Sequence, residues 1–290
     1  MLGVSQHVIG GVDTHSDTHT AAAIDDLGRL LGHETFPTNR GGYAALLAWL
    51  AGHGEVIAVG VEGTGAYGAG LARHLTTQAI KVVEVDRPNR QQRRKNGKSD
   101  PADAEAAARA VLAGTATGTP KTRDGAVEAL RTLRATKRTA DKAHTAARNS
   151  LRHMVITAPA GLREHLEHLT GPALVTACAA LRPDRSAMHE PVTATKVSLR
   201  RLARRAQHLA AELAEIKADI ASLVQHIAPE LVEHYGVGPD TASQLLVTAG
   251  DNPDRLRSER SFAALCGVSP VKASSGRTDR HRLNRGGDRH

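Results

Sequence analysis

Between residues 202 and 227 the apolar positions fall at alternating spacings of four and three: Leu202, Ala206, Leu209, Leu213, Ile216, Ile220, Leu223 and Ile227. A repeat of 3.5 residues is the seam of a long helix packed lengthwise on another, and no strand can use it. Strand signals are missing from all of 122–228. Helices are predicted over 123–157 and 191–228, around a helical stretch broken by Pro159, Pro172 and Pro183. Two partners suit the seam, helix 123–157 folded back as a hairpin or a second chain joined as a coiled coil. Either way this segment is an arm and not a catalytic unit.

The first 121 residues have another rhythm. "VIGGVD" (8–13), "TAAAI" (20–24) and "RLLGHET" (29–35) read as strands, with "DDLG" (25–28) turning the second into the third. A helix follows over 41–51, a buried strand at "VIAVGV" (56–61), a helix over about 66–78, a strand at "KVVEV" (81–85), and an Ala-rich helix from Asp100. Three sequential strands followed by strand–helix–strand units predict an α/β mixed sheet flanked by helices, in the element order of a ribonuclease-H-like fold.

Composition narrows the partner. The 290 residues carry a formal charge of +8, which points to a polyanion, and only 2% are aromatic. Base stacking therefore cannot be the main means of contact, and phosphate and shape contacts must dominate. At 40% hydrophobic residues the chain is a folded one. Cys178 and Cys266 suggest neither a metal site nor a disulfide framework, in keeping with a reducing compartment. "MLGVSQHVIGG" shows no secretory signal, and no apolar run approaches a membrane span. A cytoplasmic, nucleoid-associated protein is expected.

Two carboxylates stand at strand ends. Asp13 closes "GGVD" and Glu62 closes "VGVE", each at the carboxyl end of an apolar run, where α/β sheets bind ligands. "KSDPADAEAAARAVL" adds Asp100 and Asp103. Taken alone these form a good helix start, with Asp100 as N-cap, Pro101 next and Asp103 in the first turn. Joined to Asp13 and Glu62 they make a four-carboxylate cluster of the kind that holds two hard divalent ions, Mg2+ or Mn2+. Such acids repel one another unless a cation or a raised pKa relieves them.

Basic runs flank the acids in sequence. A solvated face is the usual explanation of such runs, but Arg87, Arg90, Arg93, Arg94, Lys95 and Lys98 lead directly into Asp100, so a phosphate track feeding the acids is the more economical reading. Residues 229–290 include "YGVGPDTASQLLVTAG", a Gly-x-Gly-then-helix shape that suits either a helix-hairpin-helix element or a plain turn before a helix. They continue into a Gly-rich basic stretch carrying Lys272, Arg277, Arg280, Arg282, Arg285 and Arg289, either a solvated tail or a nucleic-acid surface.

Other functions fit parts of this pattern. The first 25 residues suit a phosphate loop of an actin-like sugar kinase, but 122–228 offers no second phosphate loop and no adenosine pocket. "DTHSDTH" offers Asp13, His15, Asp17 and His19 as a zinc set, on one face only if the strand continues through it.

Taken together, "GVDTH", "VEGTGAYG" and "KSDPADAEAAARAVL" resemble the DEDD, RuvC-like domain of transposases in the insertion-sequence family numbered one hundred and ten. "GVGPDTASQLLVTAGD", "FAALCGVSP" and "ASSGR" resemble that family's C-terminal domain. The resemblance implies a RuvC-like domain at 1–121, a helical coiled-coil arm at 122–228 and a mostly α C-terminal transposase domain at 229–290. It further implies a recombinase acting on double-stranded DNA, guided in many members by a structured RNA and assembled as a dimer or tetramer. On it, Asp13, Glu62, Asp100 and Asp103 are the acidic tetrad and the serine of "SSG", chosen here as Ser275 over Ser274, is the nucleophile. The sequence stops at "LNRGGDRH", where the resemblance implies further helical sequence. A truncated copy is expected on that ground. A junction-resolving metal nuclease and a non-catalytic nucleic-acid-binding remnant are the alternatives.

Overall fold

A computed structural model describes residues 6–85 and 99–283. The chain divides into two compact units, one made of residues up to Gly125 together with those from Ala249 onward, the other of Ala126–Thr248.

The first unit is built on a five-stranded sheet. Its strands are β1 (His7–Thr14), β2 (Thr18–Asp25), β3 (Leu30–Pro37), β4 (Glu55–Glu62) and β5 (Val82–Val85), in the order β3-β2-β1-β4-β5. β1 pairs antiparallel with β2 and parallel with β4, so it lies at the centre. Val8 to Asp13 are all buried, which is why this strand reads as an unbroken apolar run. Asp25 makes the β2–β3 turn: its carboxylate accepts from the backbone N–H of Leu27 at 3.0 Å and of Arg29 at 2.7 Å, while Gly28 takes φ 77°.

Helices cover both faces. α1 (Arg40–Gly52) and α2 (Ala69–Thr77) lie on one, where Leu46, Leu50, Leu71 and Leu75 close over Val8, Val12, Val59 and Val61. On the other lies α3 (Asp100–Leu112), against β1, β2 and β4. This approach is very close. A Cβ on Gly11 would stand 2.1 Å from the Ala104 carbonyl oxygen, and one on Gly60 2.9 Å from that of Ala107. The alanine-rich face of α3 and the glycines of β1 and β4 are therefore one device, letting a helix backbone rest almost on the sheet. The mixed sheet flanked by helices is consistent with a DEDD, RuvC-like domain.

From Ala249 the same unit continues through α9 (Glu259–Leu265) and a hairpin of β6 (Pro270–Lys272) and β7 (His281–Leu283). Asn252 ties this segment down, donating to the Pro120 carbonyl at 3.0 Å and accepting from the Thr122 amide at 3.3 Å.

The second unit is helical. α4 (Ala126–Ile156) and α7 (Pro191–Ile227) run antiparallel: Leu151 and Val155 pack with Leu199 and Ala203, while Leu130 packs with Ile216, Ile220 and Val224. α5 (Ala160–Leu166) and α6 (Gly171–Ala180) close one end with Leu166 and Leu174; α8 (Pro239–Ala249) brings Ala242 to the other. The 3.5-residue seam thus faces a helix of its own chain. No helix among the described residues is long and apolar enough to cross a membrane.

Candidate active site

β1 and β4 run parallel with Val12 beside Val61, so one step further Asp13 and Glu62 occupy neighbouring strand ends. Side chains alternate along a strand. Val12 and Val61 face α1 and α2, so Asp13 and Glu62 face α3. Both acids are 6% exposed. Thr14 joins the two strand ends by donating its hydroxyl to the Glu62 carbonyl at 2.9 Å.

α3 arrives at the same edge by its N-terminus. Ser99, and not Asp100, holds the extended N-cap position, and its carbonyl accepts from the Asp103 amide at 3.0 Å. The expected Asp100 cap is thereby corrected: Pro101 leaves room for one more helical residue ahead of it, and Asp100 becomes the first residue of the helix. Its carboxylate points at the strand ends instead of capping. Asp103, one turn on, is buried.

Between them stands His15, which is no part of the four-acid set that the sequence suggests. Its Nε2 lies 3.2 Å from Asp13 Oδ2 and 3.4 Å from Asp100 Oδ1. Ligand atoms of Asp13, His15 and Asp100 all fall within 4.8 Å of one another, the spacing of groups that could share a metal ion. Asp103 is near enough for its charge to act on Asp13, and Glu62 stands at the neighbouring strand end. Burial pushes the Asp13 carboxyl above its ordinary range, the His15 imidazole opposes that, and the negative charges of Asp100 and Asp103 reinforce it. A buried acid facing two further acids suits a bound cation, which would remove the desolvation and repulsion together.

The "DTHSDTH" zinc set breaks apart. β1 stops at Thr14, and His15 donates its amide to the Thr18 carbonyl at 3.0 Å to turn the chain into β2. His19 lands opposite Thr14, on the other face, stacked on Tyr43 with ring centroids 5.6 Å apart. A histidine two residues past a strand-end acid was the available signal for His15. Its meaning depends on a turn that the repeated histidines disguise.

Residues 10–158 match a family model of DEDD transposases of the IS110 type, and residues 228–290 match the Transposase IS116/IS110/IS902 family. The chain belongs to the IS110 family of transposases. No curated protein matches it significantly.

In this IS110-family transposase Ser274 and Ser275 sit in the β6–β7 connection. Ser275 and Thr278 exchange backbone hydrogen bonds at 3.2 and 3.1 Å, and Gly276 between them has φ 57°. The Ser274 hydroxyl donates to Asp279 Oδ1 at 2.5 Å and accepts from the Arg280 amide at 3.2 Å. The Ser275 side chain is exposed and makes no hydrogen bond among the described residues.

Part of this basic stretch forms the β6–β7 hairpin, which distributes its basic residues. Arg282 lies opposite Val271 and Lys272 opposite His281, so Lys272 and Arg282 take opposite faces. Arg277 is in the turn and Arg280 beside it, both exposed. Arg87, Arg90, Arg93, Arg94, Lys95, Lys98, Arg285 and Arg289 lie outside the described residues.

Proposed function

We propose that this transposase cuts and rejoins DNA with the acids at the sheet edge and a serine nucleophile. The convergence of Asp13, His15 and Asp100 at strand and helix ends carries the reading. Asp13 and Asp100 would hold a divalent ion, Mg2+ or Mn2+, with Glu62 and Asp103 completing the set. Such an ion, when bound, polarises a phosphoryl oxygen and offsets charge on the departing oxygen. Two carboxylates suit a hard cation, and the imidazole widens the choice toward Mn2+.

Ser275 is the nucleophile in this reading. Its Oγ forms a bond to phosphorus as the bond to the 3′ oxygen breaks, and the hydroxyl proton ends on that oxygen. The phosphoserine link conserves the phosphodiester's energy, so strands rejoin without a nucleotide cofactor. Two observations favour Ser275: its hydroxyl is free while Ser274 is held by Asp279, and the segment bearing it belongs to the same compact unit as the acids. The arm of 122–228 is proposed as an oligomerisation element between functional segments 1–121 and 229–290, in a dimer or tetramer guided by a structured RNA in the cytoplasm, beside the nucleoid.

The test is to incubate the full chain with element-end DNA, the element's structured RNA and Mg2+ or Mn2+. A covalent protein–DNA adduct is expected, lost in Asp13→Asn and on chelation of the metal. Cleavage without an adduct would overturn the serine mechanism. No cleavage with either ion would overturn the metal site.

A further inference from the structure

We propose that a cleft in the helical unit, lined by Arg185, Arg200, Arg201 and Arg204, grips the phosphodiester backbone of a nucleic acid. The cleft has a volume of about 360 Å³, and Pro183 and Val197 complete its lining. Three of the arginines come from α7, where spacings of one, three and four put them on one side of the helix. Arg185 comes from the connection before α7. There the Asp184 carboxylate accepts from the Ser186 amide at 3.0 Å and hydroxyl at 2.8 Å, which fixes the turn. Positive charge therefore reaches the cleft from two separate segments.

None of the four arginines has an ion-pair or hydrogen-bond partner among the described residues, and the Arg200 Nε is buried without one. Elsewhere in this unit some guanidinium groups are engaged. Arg131 pairs with Glu128, Arg163 with Glu167, and Arg134 holds Asp240, Ser243 and Gln244. Arg138, Arg148, Arg182 and Arg205 also stand without a partner among the described residues; what sets the cleft apart is that four such groups line one cavity. Four like charges with no acid among them repel, and an incoming anion relieves that. The planar guanidinium fork matches the paired oxygens of a phosphate. No aromatic side chain lines the cleft, so it offers a base nothing to stack on and reads backbone alone. The choice of a nucleic acid as carrier of the phosphate rests on the transposase reading; the arginine geometry does not.

The experiment measures binding of the full-length protein to a B-form DNA duplex and to a hairpin RNA across a salt series, with chelator present so that cleavage plays no part. In Arg201→Gln/Arg204→Gln, which alters exposed side chains only, the slope of log affinity against log salt should flatten by about 0.9 for each duplex phosphate that is no longer neutralised. Arg201→Lys/Arg204→Lys should retain most of the slope, because charge sets it. An unchanged thermal midpoint excludes unfolding. A flattened slope with DNA or with RNA supports the cleft and names its partner. Unchanged slope and affinity on both overturn it. Asp13→Asn should leave the slope untouched, so failure of the cleft and failure of the metal site read differently.

Discussion

The imidazole of His15 lies 3.2 Å from the carboxylate of Asp13, and it bridges from there to Asp100 at 3.4 Å. It stands where a like-charge pair would otherwise meet directly. In the proposed metal site it would act either as a donor or as the partner that orients both acids. Changing groups that orient metal ligands lowers affinity by about 10–100-fold. His15→Gln should weaken Mn2+ binding within that range, and Asp13→Asn more severely, as read by calorimetric titration. Unchanged affinity in His15→Gln would leave the histidine only a neighbour of the acids.

Gly11 sets the distance between α3 and the sheet. Its missing Cβ leaves room for the Ala104 carbonyl and the Ala108 amide, 2.1 and 2.3 Å from where that carbon would be. Backbone atoms cannot turn aside. Gly11→Ala should therefore cost at least the ~1–3 kcal/mol typical of overpacking, measured by denaturant unfolding, and should lower metal affinity by lifting Asp100 and Asp103 away from Asp13. Gly10→Ala is the control. Its Cβ meets the Leu50 Cδ1 at 2.9 Å, the far end of a side chain that can rotate, so its cost should be smaller.

Much of this arrangement was legible in the sequence, for identifiable reasons. Strands β1 and β4 are apolar runs ended by acids, and the sheet order follows from short connections around them. The seam of α7 was legible as a seam, yet periodicity cannot say whether α4 or a second chain fills it. The helix start at Ser99 was missed because Asp-Pro is itself a good start; only the hydrogen bond from the Asp103 amide to the Ser99 carbonyl separates the two. The β6–β7 hairpin was hidden because its strands are three residues long and almost wholly exposed. His15 depended on a turn whose geometry no local preference specifies.

Asp25 carries a pH dependence of stability. Its burial acts to raise the carboxyl pKa, but hydrogen bonds from the Arg29 amide and guanidinium, the Arg29 charge and the Leu27 amide outweigh that and hold it below its ordinary value. A depressed folded-state pKa gives stability that is present above the unfolded value of about 3.9 and is lost as pH falls through the folded one. The thermal midpoint should thus drop below about pH 4. Asp25→Asn should be less stable at neutral pH and should lose part of that acid-limb slope. Parallel curves for the two proteins would show that other carboxylates govern the limb.

Ser275 and Ser274 differ in what their hydroxyls already do. Ser274 is committed to Asp279 and the Arg280 amide and so fixes the tip of the hairpin, whereas Ser275 is exposed beside Gly276 and Arg277. A nucleophile must be free to meet phosphorus, while a hydroxyl that braces a turn acts through shape. Ser275→Ala should therefore bind DNA as the unaltered protein does, since one hydroxyl adds little beside several charged groups on phosphates, and should form no covalent adduct and no recombinant strands. Ser274→Ala should retain the adduct at reduced rate, because the hairpin loosens without losing its reactive oxygen. The two variants are compared by denaturing-gel detection of the adduct with Mg2+ or Mn2+ present. An adduct surviving in Ser275→Ala but absent in Ser274→Ala would transfer the role to Ser274, with Asp279 as the base that takes its proton. Adduct formation in the double variant would remove serine from the reaction altogether.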